Sequence, residues 1–193
     1  MSTPKNRHLR DPRELAALAH PVRVGILELL AIHGPLTATA LGDFLDENPA
    51  NCSWHLRKLA EHGFVEEAGG GHGRQRPWRT VHLGFNWGDE DTDPSTRPTA
   101  DALSRMMLER WLDRFYASLT RAAAEEPEWN SARSMTQTAT WLTAEELAAM
   151  NHEVSELLRK YRDRLADPDQ RPEGSRLCEF VAWGAPIELE TTP

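Results

Sequence analysis

The sequence predicts a mainly α-helical chain with a small β component, arranged as two domains. Three observations lead to this prediction. Apolar residues recur at helical spacing in several segments that begin at a capping residue and end near Gly or Pro. Two β-type segments flank a glycine-rich stretch at residues 69–73, which indicates a two-stranded ribbon. The composition changes sharply at Gly84, where an acidic stretch begins.

The 193-residue chain is long enough for two small domains, and its composition indicates the boundary. Residues 84–98 contain two prolines and four acidic residues within five positions, without hydrophobic periodicity. Such a stretch is typical of a linker or an exposed loop. We therefore expect a first domain over residues 1–83, an acidic linker over 84–98 and a second domain over 99–193.

Composition also restricts where the protein can work. The chain has no apolar run near the roughly 20 residues that a membrane span needs, so we expect no membrane contact. The first ten residues are polar and basic, unlike the apolar centre of a secretory signal. Two cysteines, Cys52 and Cys178, are too few for a disulfide framework and indicate reduced thiols. These features predict a cytoplasmic protein.

The net charge of −8 is distributed unevenly along the chain. Residues 1–83 have a balance of +1, whereas residues 84–193 have a balance of −9. Because the acidic residues are concentrated in the second half, the net charge does not exclude nucleic-acid binding by the first half.

The first domain begins with closely spaced helices. Asp11, Thr37 and Asn48 are capping residues, and proline follows directly after Asp11 and Asn48 at the first helical position. Gly34 and Gly63 are typical of helix ends. These signals predict helices over about residues 12–19, 21–33, 38–45 and 49–62.

A β-ribbon follows the fourth of these helices. The segments Phe64–Ala68 and Trp78–Leu83 have strand-like patterns, and the glycine-rich tip lies between them. Short helices followed by such a ribbon are typical of a winged helix-turn-helix domain.

The second domain is predicted to be α+β. Residues 99–124 form a long amphipathic pattern whose apolar side is wider than a surface helix requires. Thr143 and Glu146 are spaced as a capping box that opens another helix. Strand-like patterns at Ser134–Leu142 and Arg176–Trp183 flank this helix and predict a β-α-β connection.

Two segments of the first domain resemble the ArsR-like winged-helix transcriptional regulators. Ser53-Trp54-His55-Leu56, followed by Leu59, Gly63, Phe64 and Val65, matches the signature of their recognition helix. His20-Pro21-x-Arg23-x-x-Ile26-Leu27-x-Leu29-Leu30 matches their second helix, and the resemblance covers about residues 10–83. It implies a DNA-binding domain, but the Cys-x-Cys motif of the metal-sensing members is missing.

The fourth helix carries the predicted DNA contacts. Cys52, Leu56 and Leu59 share one side and are expected to face the core, so the opposite side faces outward. A helix of this size fits the major groove, where its N-terminal residues contact base edges. The alternative is a solvated polar face with Trp54 packed on a neighbouring helix. The residues expected to contact double-stranded DNA are Asn51, Ser53, Trp54, His55, Arg57 and Lys58.

The ribbon is expected to supply a second contact. Arg74, Arg76 and Arg79 lie at or beside the glycine-rich tip, where arginine gains from the negative potential of a narrow minor groove. The alternative is a surface hairpin whose charge is incidental.

The wide apolar side of residues 99–124 is the predicted homodimer interface, with Leu103, Met107, Trp111 and Phe115 as its residues. Packing within its own domain is the alternative. Five of the seven tryptophans lie beyond residue 84 and could line a pocket for a small apolar effector, although core packing is the favoured explanation.

Neither a metal site nor catalysis is expected. Cys52, His55 and His62 share one helix, but four ligands for a structural zinc ion cannot be assembled around them. The sequence lacks a nucleophile elbow, a phosphate-binding loop and a dinucleotide fingerprint, so we expect no enzyme and no cofactor. The sequence favours a DNA-binding transcriptional regulator, with repressor as the favoured role. The competing hypothesis is a protein-interaction module that docks a partner through Trp54 and the ribbon.

Overall fold

The computed structural model describes residues 6–71, 75–87 and 94–188. It is mainly helical with short strands, which confirms the predicted class. In chain order the elements are β1 (Arg7–His8), α1 (Pro12–Leu18), α2 (Pro21–His33), α3 (Ala38–Leu45), α4 (Pro49–Glu61), β2 (Val65–Glu67), β3 (Trp78–Thr80), β4 (Phe85–Asn86), α5 (Arg97–Arg121), α6 (Pro127–Ser131), α7 (Ala144–Arg159) and α8 (Asp163–Ala166).

The chain divides into two compact units. The first comprises Met1–Arg110 and Leu165–Pro168, and the second comprises Trp111–Arg164 and Asp169–Pro193. The first unit therefore extends beyond the boundary expected at residues 84–98. The physical reason is that Ala100 and Leu103, near the start of α5, belong to the hydrophobic core of this unit.

The helices of the first unit begin where the sequence predicts, because side chains cap them. The Thr37 hydroxyl accepts a hydrogen bond of 3.2 Å from the Ala40 amide, and the Asn48 side chain accepts one of 2.8 Å from the Ala50 amide. At α2 the cap is a histidine, since Nδ1 of His20 accepts from the Val22 amide at 3.2 Å. Each cap satisfies one of the free backbone donors at a helix start.

The core of the first unit lies between α1, α2, α3, α4 and the start of α5. Its fully buried side chains include Leu9, Leu15, Ile26, Leu41, Cys52, Leu56, Leu59 and Phe64. Burial of a leucine or phenylalanine side chain contributes about 1.5–3 kcal/mol, so this cluster dominates the stability of the unit. It also fixes one side of α4.

Two small sheets complete the first unit. Strands β2 and β3 are antiparallel, with Glu66 opposite Arg79, and they form the ribbon. Leu36 extends this ribbon through paired backbone hydrogen bonds with Trp78. Strands β1 and β4 are parallel, and the sequence patterns did not predict this pair. Helices α1 to α4 with the ribbon therefore form a winged helix-turn-helix arrangement.

The second unit contains the predicted capping box. The Thr143 hydroxyl accepts from the Glu146 amide, while the Glu146 carboxylate accepts from the Thr143 amide at 2.7 Å. The two strands predicted at Ser134–Leu142 and Arg176–Trp183 do not form, because neither segment has a backbone hydrogen-bond partner among the described residues. None of the described residues from 111 to 188 is buried, so this unit lacks a core of its own.

Among the described residues, no single helix combines the length and apolar character of a membrane span, and only the bent pair of α1 and α2, at 81°, meets those criteria jointly.

Candidate nucleic-acid interface

Helix α4 is anchored along one side and open along the other. Cys52, Leu56 and Leu59 are fully buried, as the sequence predicts. Asn48 caps the helix and Pro49 occupies its first turn. The opposite side carries an outer face, which we define as Asn51, Ser53, Trp54, Arg57 and Lys58.

A tight turn joins α3 to α4. The Glu47 amide donates a 3.0 Å hydrogen bond to the Gly42 carbonyl, and Asp46 adopts the left-handed conformation with φ 53°. A Cβ atom on Gly42 would lie 2.6 Å from the Glu47 carbonyl oxygen. Only glycine therefore permits this close approach, which sets the direction in which α4 leaves the turn.

The outer face of α4 presents an indole and a guanidinium to solvent. Trp54 is 46% exposed, and Arg57 is exposed without a hydrogen bond or ion pair to any residue that the structure describes. Lys58 is less available, since its ammonium group lies 2.9 Å from the Glu61 carboxylate and lowers the pKa of that group. Asn51 donates from its side-chain amide to Glu47 at 2.8 Å. Arg57 is thus the freest cation on this face.

The structure corrects the prediction for His55. This residue is only 2% exposed, so its ring cannot reach a base edge in this arrangement. It lies on the inward stripe with Cys52, Leu56 and Leu59, at the spacing of three, four and seven residues that defines one helix side. The same spacing was visible in the sequence and could have placed His55 in the core.

The buried ring of His55 belongs to a ring cluster that joins α4 to the start of α2, with His20 partly buried and Trp54 exposed. Its ring centroid lies 4.5 Å from that of His20 and 4.8 Å from that of Trp54. Burial lowers the pKa of both histidines, and the Arg23 guanidinium adds to this effect, while Glu47 opposes it. The His20 cap also requires an unprotonated Nδ1, because that atom accepts the Val22 hydrogen bond. Both histidines are therefore neutral in the folded state near pH 7.

This cluster predicts a loss of stability in mild acid. Since the pKa values of His20 and His55 are lowered on folding, the unfolded chain binds more protons once the pH falls below its histidine pKa of about 6.5. The free energy of unfolding, measured with urea, should fall from that pH downward until the lowered folded-state pKa values are passed. In a His20→Asn and His55→Leu double variant, Asn retains the helix cap. This variant should lose part of the slope of unfolding free energy against pH.

The exposed His152 of α7 provides the matched control for this prediction. A His152→Gln variant should keep the full slope, because its ring is outside the cluster. An unchanged slope in the double variant would exclude His20 and His55 as its source.

The ribbon arginines are present but paired. Arg76 lies 3.0 Å from the Glu67 carboxylate, and Arg79 lies 2.7 Å from the Glu66 carboxylate. All four side chains are about half exposed. Arg74 lies outside the described residues. A phosphate must therefore compete with a glutamate for each of these two guanidinium groups.

This competition leads to a prediction for a Glu66→Gln and Glu67→Gln double variant. Exposed ion pairs contribute only about 0–1 kcal/mol, so the fold should keep its stability. Duplex affinity should rise several-fold at low salt, because two guanidinium groups are released and two negative charges are removed. The slope of log K against log salt should steepen by about 0.9 for each additional phosphate contact. Binding titrations across a salt series measure both quantities.

A control for nonspecific charge effects replaces two exposed glutamates of the second unit, Glu153→Gln and Glu173→Gln. This variant removes the same charge but should leave the salt slope unchanged. Equal slopes in both double variants would mean that the ribbon arginines do not contact phosphate.

The structure also corrects two of the expected dimer residues. Leu103 is 1% exposed, and Met107 packs against the core of the first unit, so both belong to that core. Trp111 is half-buried and Phe115 is 37% exposed. The physical reason is geometric: residues spaced by four drift by about 40° per step around a helix. The predicted row therefore begins on the core side of α5 and ends on its outer side.

Comparison with known proteins identifies the arrangement around α4. Residues 18–68 match the family model of a helix-turn-helix domain. This segment is similar to a helix-turn-helix domain. It spans α2 to β2 and therefore includes α3, α4 and the short turn at residues 46–48 between them.

Two solved structures are similar to this chain at low sequence identity. A MarR family regulator from Neisseria meningitidis is 14% identical, with 76% of this chain and 79% of that chain covered and a TM-score of 0.33. A MarR family protein from Mycobacterium tuberculosis, in complex with salicylic acid, is 19% identical, with 77% and 87% covered and a TM-score of 0.30. Among curated proteins, none matches this chain significantly.

No group of three or more His, Cys, Asp or Glu residues within the described ranges could hold a metal ion. Cys52 of α4 is buried, which raises the pKa of its thiol. Cys178 is exposed in the second unit.

Proposed function

We propose that this protein is a sequence-specific regulator of transcription that binds double-stranded DNA as a homodimer. Helix α4 would enter the major groove and the ribbon would follow the neighbouring backbone, as in ArsR-like regulators without a metal site. The observation that carries the proposal is the outer face of α4, where Arg57 and Trp54 are exposed on a helix whose other side is fixed in the core. Repression is the role that we assign, because a bound dimer covers its DNA site.

The side chains of the outer face suit different parts of a duplex. Arg57 can donate two hydrogen bonds to a guanine edge, and Asn51 and Ser53 can donate or accept at neighbouring bases. The exposed indole of Trp54 suits a thymine methyl group or a sugar. Lys58 and the ribbon arginines suit phosphate, which sets affinity and register more than sequence preference.

Homodimerisation is supported by the outer side of α5. Leu112, Phe115 and Leu119 are 37–49% exposed and are spaced by three and four residues. That alternation gives the 3.5-residue repeat with which two helices pack along a seam. A second copy of the chain is the occupant that a two-fold DNA site requires. We call these three residues the α5 seam.

Control by a small apolar effector is a further part of the proposal. A shallow groove in the second unit is lined by Val154 and Leu158 of α7 and by Ala182 and Trp183. An apolar molecule held there would alter DNA binding only if it favoured one dimer geometry over the other. Quenching of Trp183 fluorescence by small aromatic compounds, compared with a Trp183→Phe variant, tests this point.

The proposed function is tested by incubating the full chain with random-sequence duplexes at low and high salt. A DNA-binding regulator should retain duplexes, lose affinity steeply with salt, and retain some sequences more strongly than others. The alternative, a protein-interaction module that docks a partner through Trp54 and the ribbon, predicts no retention of duplex at either salt concentration.

A further inference from the structure

The segment before α1 is built into the first unit beside the chain that leaves the ribbon. The Arg7 amide donates to the Gly84 carbonyl at 3.0 Å, and the Leu9 amide donates to the Asn86 carbonyl at 2.9 Å. The Leu9 side chain is fully buried in the core. These contacts fix the backbone of Arg7 and therefore the direction of its side chain.

The Arg7 guanidinium touches three parts of the first unit at once. Its Nη1 donates a 2.7 Å hydrogen bond to the His62 carbonyl at the end of α4. Its Nη2 pairs with the Glu14 carboxylate of α1. Its central carbon lies 4.9 Å from the centre of the Phe64 ring, which is fully buried directly before β2.

Each of these contacts suits a planar cation. The last carbonyls of a helix lack intrahelical donors and carry negative partial charge, so a guanidinium at the end of α4 is favourable. The face of an aromatic ring attracts the same group, and the fixed fork of arginine allows two partners to be held together. Gly63 lies between His62 and Phe64 with φ 69°, and a Cβ there would be 3.4 Å from Nη1 of Arg7.

We propose that Arg7 is a positioning residue that fixes the direction of the ribbon relative to α4, so that both elements meet the same duplex. This inference rests on the proposed function, because it assigns Arg7 a role in DNA binding without direct contact. Its guanidinium joins the last carbonyl of the major-groove helix to the residue from which the ribbon starts. The side chain is only 23% exposed, since its donors are occupied inside the unit.

Two other roles make different predictions. An arginine that only stabilises the fold, or one that itself binds a phosphate, would change affinity independently of the ribbon. A positioning residue instead controls how much the ribbon contributes to the affinity for duplex DNA. A double-mutant cycle between Arg7 and Arg79, the latter serving as the reporter on β3, separates these possibilities.

The experiment measures duplex affinity of four full-length proteins: the parent chain, Arg7→Ala, Arg79→Ala and the double variant. The same duplex, retained most strongly by the parent chain from a random pool, is used throughout. We expect Arg79→Ala to weaken binding by about tenfold in the parent chain, the size of a lost charge-assisted contact. In the Arg7→Ala background the same change should weaken binding by less than about twofold, because the ribbon no longer meets the DNA.

Arg13→Ala is the matched control, since Arg13 is an exposed arginine of α1 whose side chain has no hydrogen bond or ion pair to any described residue. In that background Arg79→Ala should keep its full effect. If Arg7→Ala does not fold, as judged by circular dichroism, Arg7→Lys takes its place. Lysine keeps the positive charge but lacks the forked guanidinium group. In the Arg7→Lys background, the loss of duplex affinity caused by Arg79→Ala should therefore be intermediate.

The outcomes separate the inference from the proposed function. If the parent chain retains no duplex, the proposed function itself fails. If the parent chain binds DNA but the effect of Arg79→Ala is the same with and without Arg7, the positioning role is overturned. It is equally overturned if Arg79→Ala has no effect in the parent chain.

Discussion

Replacement of Leu112 and Phe115 by aspartate should separate the two copies of the proposed homodimer and lower its affinity for a two-fold DNA site by about 10²–10⁴. The size of this effect follows from the connection between the two copies. In a dimer the second copy meets its half-site at high effective concentration, which raises the affinity for DNA, and this gain in affinity disappears when the copies separate. Two charges placed in an apolar seam cannot be buried without a partner. Analytical ultracentrifugation and duplex titration measure the two consequences.

The α5 seam is exposed in the single chain, so these substitutions should leave the first unit folded. A matched control places the same two charges on the other side of α5, as Ala117→Asp and Thr120→Asp, where both residues are also exposed. That variant should remain a dimer. A dimer that persists in the Leu112 and Phe115 variant would show that the copies meet through another surface.

The absence of buried residues from 111 to 188 is the stronger reason to expect a partner. Ordering a residue costs about 1–2 kcal/mol of backbone entropy, and a unit with only partly buried apolar side chains has little burial to offset that cost. In the proposed homodimer, association with a second copy would supply the missing burial. The stability of the second unit should therefore depend on protein concentration.

A Gly42→Val variant should lose at least about 3 kcal/mol of unfolding free energy, at the upper end of the usual cost of overpacking. The first added atom alone would lie 2.6 Å from the Glu47 carbonyl oxygen and 3.4 Å from the Pro49 nitrogen. Both contacts are with backbone atoms or the start of α4, which cannot rotate away as a side chain can. Chemical denaturation of the parent chain and the variant measures the difference.

Thr39→Val is the control for Gly42→Val, since it places the same side chain on the exposed side of α3. Exposed substitutions of this kind usually change stability by less than about 0.5 kcal/mol. Equal stability of the Gly42 variant and the control would mean that the turn between α3 and α4 can open without cost. In that case the direction of α4 would not depend on Gly42.

Local signals explain why the first unit could be predicted well. Asn48 and Pro49 start α4, and Gly63 follows its end, because caps and left-handed glycine act within one turn of the helix. The buried stripe of Cys52, Leu56 and Leu59 follows from helical periodicity alone. Strict use of the same periodicity also places His55 in this buried stripe.

Features that depend on distant parts of the chain could not be predicted in this way. The two-residue strand β1 pairs with β4 across nearly eighty residues, and no local pattern marks so short a strand. The strand patterns at Ser134–Leu142 and Arg176–Trp183 have alternation, but neither has a partner strand in the part of the chain that the structure describes. The pairing of Glu66 with Arg79 depends on the register of the ribbon, which the sequence leaves open.

Contact between the outer face of α4 and DNA bases is tested most directly at Arg57. Duplexes are first selected from a random pool with the parent chain, and the selected duplex is then titrated with Arg57→Ala and with the control Arg13→Ala. We expect a two-fold symmetric sequence, a loss of about 1–3 kcal/mol for Arg57→Ala with relaxed preference at one base pair, and parent-like binding by the control. Parent-like binding by Arg57→Ala, or a pool from which no sequence is enriched, would contradict it.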